Sequence, residues 1–260
     1  FLTTSMSCSS VSSSIAGGDH GMGGAVRMAA EAAMRVGAGL VTVASRPEHL
    51  HIVTGARPEL MCRSVATADD LMPLIERATV VVIGPGLGQS EWSIELMQVV
   101  QSLKLPLVLD ADALNLLAQK PHHNDHWIIT PHPGEAASLL VTSNSQIQSN
   151  RFLAAQSLQQ QFGGVAVLKG AGTIVQSPSS KPMVCGAGNP GMSSGGMGDV
   201  LSGVIGGLLA QDLALSQAAE VGVLVHALAA DRAVGDHGER GLLASDVLNH
   251  LRWVVNPNED

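Results

Sequence analysis

Along the chain, short runs of aliphatic and β-branched residues that end in Gly or Asp alternate with longer stretches of small residues whose apolar positions recur at helical spacing. Apolar runs without internal alternation belong to strands covered on both faces, the pattern of a parallel sheet with crossover helices. Strands are predicted over residues 40–44, 80–83, 107–109, 127–129 and 165–168. Residues 173–175 and 183–185, separated by a Ser/Pro-rich turn, predict a hairpin that adds an antiparallel edge. Helices are predicted over 23–36, 90–102, 113–119, 135–141, 148–162, 199–210, 216–234 and 245–254. The expected fold is α/β, a mostly parallel central sheet with helices on both faces and a small antiparallel edge. Residues 218–230 are apolar nearly all round, so that helix must be covered on several sides or lie in a subunit interface. No repeat or linker divides the chain, which predicts one domain over residues 16–260. Residues 1–15 are expected to be poorly ordered or added in cloning, with at most a weak first strand ending at Ile15.

Composition narrows the chemistry. The 260 residues are 45% hydrophobic and 14% charged, with 2% aromatics and no Tyr, so the core rests on aliphatic and small residues packed closely with 29 glycines. Fourteen basic against 22 acidic residues give a net charge of -8, without a Lys/Arg stripe, which excludes nucleic acid as a partner. An acidic chain that binds phosphate must do so with backbone N–H groups, helix N-termini and metal. Cys8, Cys62 and Cys185 are odd in number and in no CxxC spacing, which argues against a disulfide framework or a zinc site and for a reducing cytoplasm. No apolar run reaches membrane-spanning length, and the N-terminus lacks a basic and an apolar region of the secretory kind.

The strongest chemical signal is GAGNPGMSSGGMGDVLSGVIGGLLA over 186–210, a glycine-rich loop that runs into an apolar helix. Gly195, Gly196 and Gly198 can turn N–H groups into one concavity at the positive end of the helix, an anion hole for a phosphate. Asp199 then sits in the first turn, poised as the general base that takes a proton from a hydroxyl attacking phosphorus. Related motifs fail: GMSSG at 191–195 has no preceding strand and the helix starts too late for a nucleophile elbow, there is no Gly-Lys pair for a P-loop, and GPGLG at 84–88 lacks the dinucleotide spacing.

Other segments end strands at the same sheet edge, where open α/β sheets bind ligands. IGPGLG at 83–88 is a tight turn or a ligand loop. DADALN at 110–115 brings two carboxylates, with Asp112 readable as a helix N-cap. TPHPGE at 130–135 presents His132 on a proline-stiffened loop, and Glu135 is either a helix-dipole carboxylate or a magnesium ligand through water. Lys169-Gly170-Ala171-Gly172-Thr173 offers a point charge and close approach for a phosphate or ribose, unless Lys169 is a solvated strand end. His122, His123 and His126 have no carboxylate or thiol at ligand spacing and read as solvent-facing.

Together and in this order, GGDHGMGGAVRMAAEAAMRVGAGLVTV, IGPGLG, DADALNLLA, TPHPGEAASLL, VLKGAGTIV and NPGMSSGGMGDVLSGVIGGLLAQ resemble the ADP-dependent NAD(P)H-hydrate dehydratases of the ribokinase-like superfamily. The resemblance covers residues 16–256 and implies a three-layer αβα sandwich. It implies a lyase of metabolite repair that dehydrates (6S)-NADHX or (6S)-NADPHX to NADH or NADPH at the expense of ADP, giving AMP and phosphate. Carried over by motif, Ala25, Gly88, His132 and Asp199 contact the hydrate, while Lys169, Gly170, Ala171, Gly172, Thr173 and Gly198 surround AMP. Magnesium is expected from the kinase-like chemistry. A homotetramer and an NAD(P)HX epimerase domain or protein as partner follow from the same resemblance. The segment 11–16 departs from the family pattern, being too polar for a central strand. The alternative is a ribokinase-like kinase of a small hydroxylated metabolite or vitamin precursor, which stops at the phosphate ester. A nucleotide-sensing protein without catalysis is disfavoured by Asp199.

Overall fold

We describe the chain from a computed structural model, over residues 12–178 and 180–256. The elements run β1 (Ser12–Ala16), α1 (Gly23–Arg35), β2 (Leu40–Ser45), α2 (Leu50–Ala56), β3 (Met61–Ser64), α3 (Ala68–Ile75), β4 (Val80–Ile83) and α4 (Glu91–Gln101). There follow β5 (Leu107–Leu109), α5 (Asp112–Gln119), β6 (Trp127–Ile129), α6 (Pro133–Leu139), α7 (Asn144–Ser149), α8 (Arg151–Phe162) and β7 (Val165–Leu168). The hairpin β8 (Thr173–Gln176) and β9 (Met183–Cys185) precedes α9 (Met197–Leu209), α10 (Leu215–His237) and α11 (Ala244–Val254). The sheet order is β3-β2-β1-β4-β5-β6-β7-β8-β9. Strands β1 to β7 pair in parallel, and β8 and β9 add the antiparallel edge.

Two apolar layers cover the sheet, and strand periodicity sorts residues between them. Val80 and Val82 face the layer shared with α1, α9, α10 and α11, whereas Val81 and Ile83 face the layer of α3, α4, α5 and α8. The same alternation holds at Val108 against Leu107 and Leu109, and at Ile128 against Trp127 and Ile129. Helix α9 lies close on α1 because Gly203 has no side chain: a Cβ there would sit 2.0 Å from the Ala29 carbonyl oxygen.

Ser12–Ala16 form a central strand, contrary to the expectation that 11–16 is too polar for one; residues 1–11 lie outside the described residues. β1 pairs with β2 on one side and β4 on the other. Ser13 and Ser14 are fully covered. Two backbone ladders hold the strand whatever its side chains, and small hydroxyls fit where glycine-rich α9 packs close; the cost is a Ser13 hydroxyl with no hydrogen-bond partner. The sequence reading also missed α2, β3 and α3. β3 is a half-exposed strand at the far edge, carrying Cys62 and Arg63 instead of an apolar run. α3 announced itself by a capping box, Thr67 with Asp70. The predicted helix over 148–162 is two helices, parted at Asn150, whose side chain caps α8.

Candidate active site

Because β1 to β7 are parallel, the residues that follow them share one edge of the sheet. The loops after β4, β5, β6 and β7 deliver Gly84 to Gly88, Asp110, His132 and Lys169 there, and α9 points its N-terminus at the same place. Gly198 lies against the group, since a Cβ on it would stand 3.2 Å from the Lys169 Nζ and 3.3 Å from the Asp110 Oδ2. A side chain at 198 would crowd the Lys169 ammonium and the Asp110 carboxylate.

The centre is an ion-paired cluster. Lys169 Nζ lies 2.7 Å from Asp110 Oδ1 and 3.8 Å from Glu135 Oε2. Thr130 Oγ1 donates to the same Asp110 oxygen at 2.7 Å. Burial works to lower the Lys169 pKa, but Asp110 and Glu135 outweigh it, so the ammonium is held charged. Asp110 Oδ2 is buried without a partner. Glu135 is pushed up to about 7, chiefly by burial and against the pull of Lys169. Its Oε2 accepts from the His132 N–H at 2.7 Å while His132 Nδ1 accepts from the Gly134 and Glu135 N–H groups, a reciprocal cap that fixes the start of α6. Burial and then Lys169 hold the His132 imidazole below its ordinary pKa.

Asp199 stands in the first turn of α9. Burial first, and then the neighbouring Asp110 carboxylate, push its pKa up to about 7, and Lys169 only partly offsets them. Helix geometry leaves the N–H groups of Met197, Gly198 and Asp199 without intrahelical acceptors, with the positive end of the dipole behind them. Gly196 caps this end at φ 89°, a left-handed conformation.

Asp112 is not the N-cap of α5. The helix begins at Asp112 itself after Ala111, which is held at φ 47°, uncommon for a residue with a Cβ. That turn sends the two carboxylates to different tasks: Asp110 meets Lys169, and Asp112 Oδ2 accepts from the Gly88 N–H at 2.8 Å. Gly84 to Gly88 thereby form a loop tied into the site.

Two adjoining cavities open around this cluster. One, of 540 Å³, runs from Lys169 and the 170–173 turn past Gly188 and Met192 to Leu201, Val223 and His226. The other, of 470 Å³, is bounded by Asp110, His132, Glu135, Gly196 and Asp199. They share Lys169, Gly170, Met192, Ser193, Met197 and Gly198. Of the sequence-predicted residues, Lys169, Gly170, Ala171, Gly172, Thr173 and Gly198 line the first cavity, and His132, Glu135, Gly196, Gly198 and Asp199 the second. Gly195 precedes this wall in the loop. Ala25 and Gly88 line neither cavity; Ala25 opens α1 against Gly86.

Three contributors escaped the sequence reading. Arg151 straps the 169–172 turn, its guanidinium donating to the carbonyls of Ala171, Leu168 and Lys169 at 2.9, 3.2 and 3.2 Å. Asp231 on α10 accepts from the Gly188 N–H and the Asn189 side-chain amide, both at 2.9 Å, and so holds the glycine-rich loop. His226 lies on α10 in the cavity wall. A signal for His226 was available: it interrupts the apolar stretch 218–230 of α10. His122, His123 and His126 are exposed, away from the site.

Comparison with known proteins shows the family and the fold. The profile of the NAD(P)H-hydrate dehydratase family matches residues 14–252. The chain is 62% identical over 243 residues to the bifunctional NAD(P)H-hydrate repair enzyme Nnr of Coxiella burnetii, covering 94% of this chain and 50% of that protein. It therefore spans about half the length of such bifunctional relatives. It is 37% identical to the ADP-dependent (S)-NAD(P)H-hydrate dehydratase of Neisseria meningitidis, covering 93% of this chain and 84% of that one. The ADP/ATP-dependent NAD(P)H-hydrate dehydratase of Bacillus subtilis, co-crystallized with ATP/Mg2+, superposes with a TM-score of 0.84 at 27% identity, over 94% of this chain and 88% of that one. These relatives favour the dehydratase over a kinase that stops at the ester. With its αβα layers, its glycine-rich entry to α9 and the carboxylates gathered beneath it, the chain belongs to the NAD(P)H-hydrate dehydratase family and has the ribokinase-like fold.

Proposed function

We propose that this chain dehydrates (6S)-NADHX or (6S)-NADPHX to the reduced cofactor at the expense of ADP, releasing AMP and phosphate. The observation that carries the reading is the Asp199 carboxyl, poised at about 7 at the N-terminus of α9, where the two cavities meet. The 540 Å³ cavity takes the nucleotide, and the Asp199 cavity takes the hydrated ring. Asp199 accepts the proton of the ring hydroxyl as the oxygen attacks the terminal phosphorus of ADP. The Lys169 ammonium and the free N–H groups of Met197, Gly198 and Asp199 hold the charge that develops on the phosphoryl oxygens. Phosphate then leaves with the electrons of the C–O bond, a proton is lost from the adjacent carbon, and the dihydronicotinamide re-forms. Ala25, Gly88 and His132 are assigned to the hydrate.

Among the described residues no three His, Cys, Asp or Glu side chains form a preassembled metal cage. Mg2+ arriving with a nucleotide needs only one or two carboxylates beside phosphate oxygens and water, and the partnerless, buried Asp110 Oδ2 suits that demand. Asp110, with Glu135 through water, would hold it; the ion would neutralise phosphate charge.

The catalytic unit proposed is a single domain that includes residues 16–256, working in the cytoplasm as a homotetramer, with an NAD(P)HX epimerase domain or protein supplying the reactive epimer. Leu224 and Leu228 of α10, both exposed, support assembly through that helix. Among the described residues no helix is long and apolar enough to cross a membrane. The decisive experiment mixes the protein with ADP, Mg2+ and NADHX and follows the absorbance of reduced nicotinamide. A trace no faster than without protein would refute the proposal.

A further inference from the structure

Three loops at the catalytic edge of the sheet meet on one carboxylate that the proposed chemistry does not use. Asp19, in the loop after β1, accepts at Oδ1 from the Nε–H of Arg46, the residue following β2, at 2.8 Å. Its Oδ2 accepts from the hydroxyl of Ser90, the N-cap of α4 beyond β4, also at 2.8 Å. The Asp19 N–H donates to the Gly86 carbonyl at 2.7 Å, and the Gly18 N–H to that of Pro85 at 3.0 Å. The Asp19 and Arg46 side chains are only 13% and 16% exposed. Trp92 holds the cation in turn, its ring 4.2 Å from the guanidinium and its indole N–H donating to the Val65 carbonyl. Burial works to raise the Asp19 pKa, but Ser90 and Arg46 outweigh it, so the group stays ionised. A covered ion pair adds little stability over apolar packing, because desolvating both charges offsets their attraction; its best-attested use is to fix one arrangement of the chain. The arrangement at stake lies beside it. Gly88, at φ 70°, sits between two carboxylates: Asp112 accepts from its N–H, and a Cβ on it would stand 3.0 Å from Asp19 Oδ2. Gly86, which accepts from Asp19, lies against Ala25.

We propose that Asp19, braced by Arg46, is a positioning residue for the hydrated substrate: it holds the loop 17–22 against the turn 85–88 and so fixes the wall that carries Ala25 and Gly88. The inference rests on the assignment of those two residues to the hydrate. Steady-state rates with NADHX, and the dissociation constant of ADP, are measured for the wild type, Asp19→Ala, Arg46→Ala, the double Ala variant, Asp19→Asn and Arg46→Lys. Asp19→Ala should raise KM for NADHX about tenfold, with kcat and ADP binding within about twofold of wild type. Arg46→Ala should do the same, and the double variant should be no worse than either single one, because both substitutions remove the same contact. Asp19→Asn keeps an acceptor for Ser90 and Arg46→Lys keeps the charge, so each should raise KM by only about threefold. A merely structural role would instead lower kcat and the thermal midpoint and leave KM in place.

An unchanged KM for NADHX in Asp19→Ala, an equal weakening of NADHX and ADP, or fully additive effects in the double variant overturns the proposal. If Asp19→Ala does not fold, the isosteric Asp19→Asn decides by the same readings, and an unchanged KM there overturns it. Ala25→Val separates this role from the assignment beneath it. A raised KM in Ala25→Val with none in the Asp19 variants sinks the role of Asp19 and leaves the wall assigned to the hydrate, whereas no change in any of them sinks both. Absence of NADHX turnover in the wild type overturns the proposed function and this inference with it.

Discussion

Two acidic centres lie at opposite ends of α9, and they are built to opposite effect. At the far end Glu31, 3% exposed, is gripped by Arg57 at 2.6 Å, Arg35 at 3.4 Å and Arg27 at 3.5 Å. At the near end Asp110, Glu135 and Asp199 gather around one cation, Lys169, and Asp199 makes no ion pair among the described residues. Surplus cations around Glu31 make a brace between α1 and the loop after α2. Around Asp199, burial first and then the neighbouring Asp110 carboxylate outweigh the single cation, which leaves a carboxyl whose proton is easily gained and lost near neutrality.

The contrast breaks most sharply at Asp199. Replacement by Asn keeps the shape and removes the base, so turnover should fall by roughly 10²- to 10⁴-fold while ADP still binds. Titration calorimetry beside the nicotinamide assay checks both halves, and near-normal turnover would show that Asp199 is not the base. Lys169→Met removes the single cation, for which a loss in kcat on the order of 10²- to 10³-fold is expected. At the far centre the response should be in stability instead. Glu31→Ala should lower the unfolding free energy by about 1–2 kcal/mol, less than for a sealed ion pair because the guanidiniums are partly exposed, and should leave kcat unchanged. Urea denaturation reads this effect, and a kcat loss without destabilisation would erase the distinction between the centres.

The smallest effect sharpens the assignment of the base. Asp199 accepts a proton only when ionised, so kcat/KM should rise with pH through about 7 and then level. Glu135 is pushed to about 7 as well, so the same limb should be sought in Glu135→Gln. If the limb persists there, it belongs to Asp199; if it disappears, Glu135 is the titrating group.

Much of this was legible before any tertiary structure. The apolar strands β4, β5, β6 and β7 and the hairpin follow from local pattern, because a strand covered on both faces needs a continuous apolar run. The glycine-rich entry to α9 and Asp199 were readable for a similar reason: a helix start and its first-turn acid are local features. Ser12–Ala16 was misjudged because what holds it is two flanking backbone ladders, which its own side chains do not encode. Asp112 was misassigned because the backbone twist at Ala111, invisible in the letters DAD, decides where each carboxylate points.

By itself, then, the sequence determined the order of elements through most of the sheet, the glycine-rich loop and the acid at its mouth, all of which depend on neighbours a few residues away. The tertiary structure alone decided the charge balance. Lys169 and Asp110 are 59 positions apart, and 43 separate Gly188 from Asp231. Electrostatic and desolvation effects act through space, so the pKa of Asp199 exists only once the sheet has brought those distant residues together.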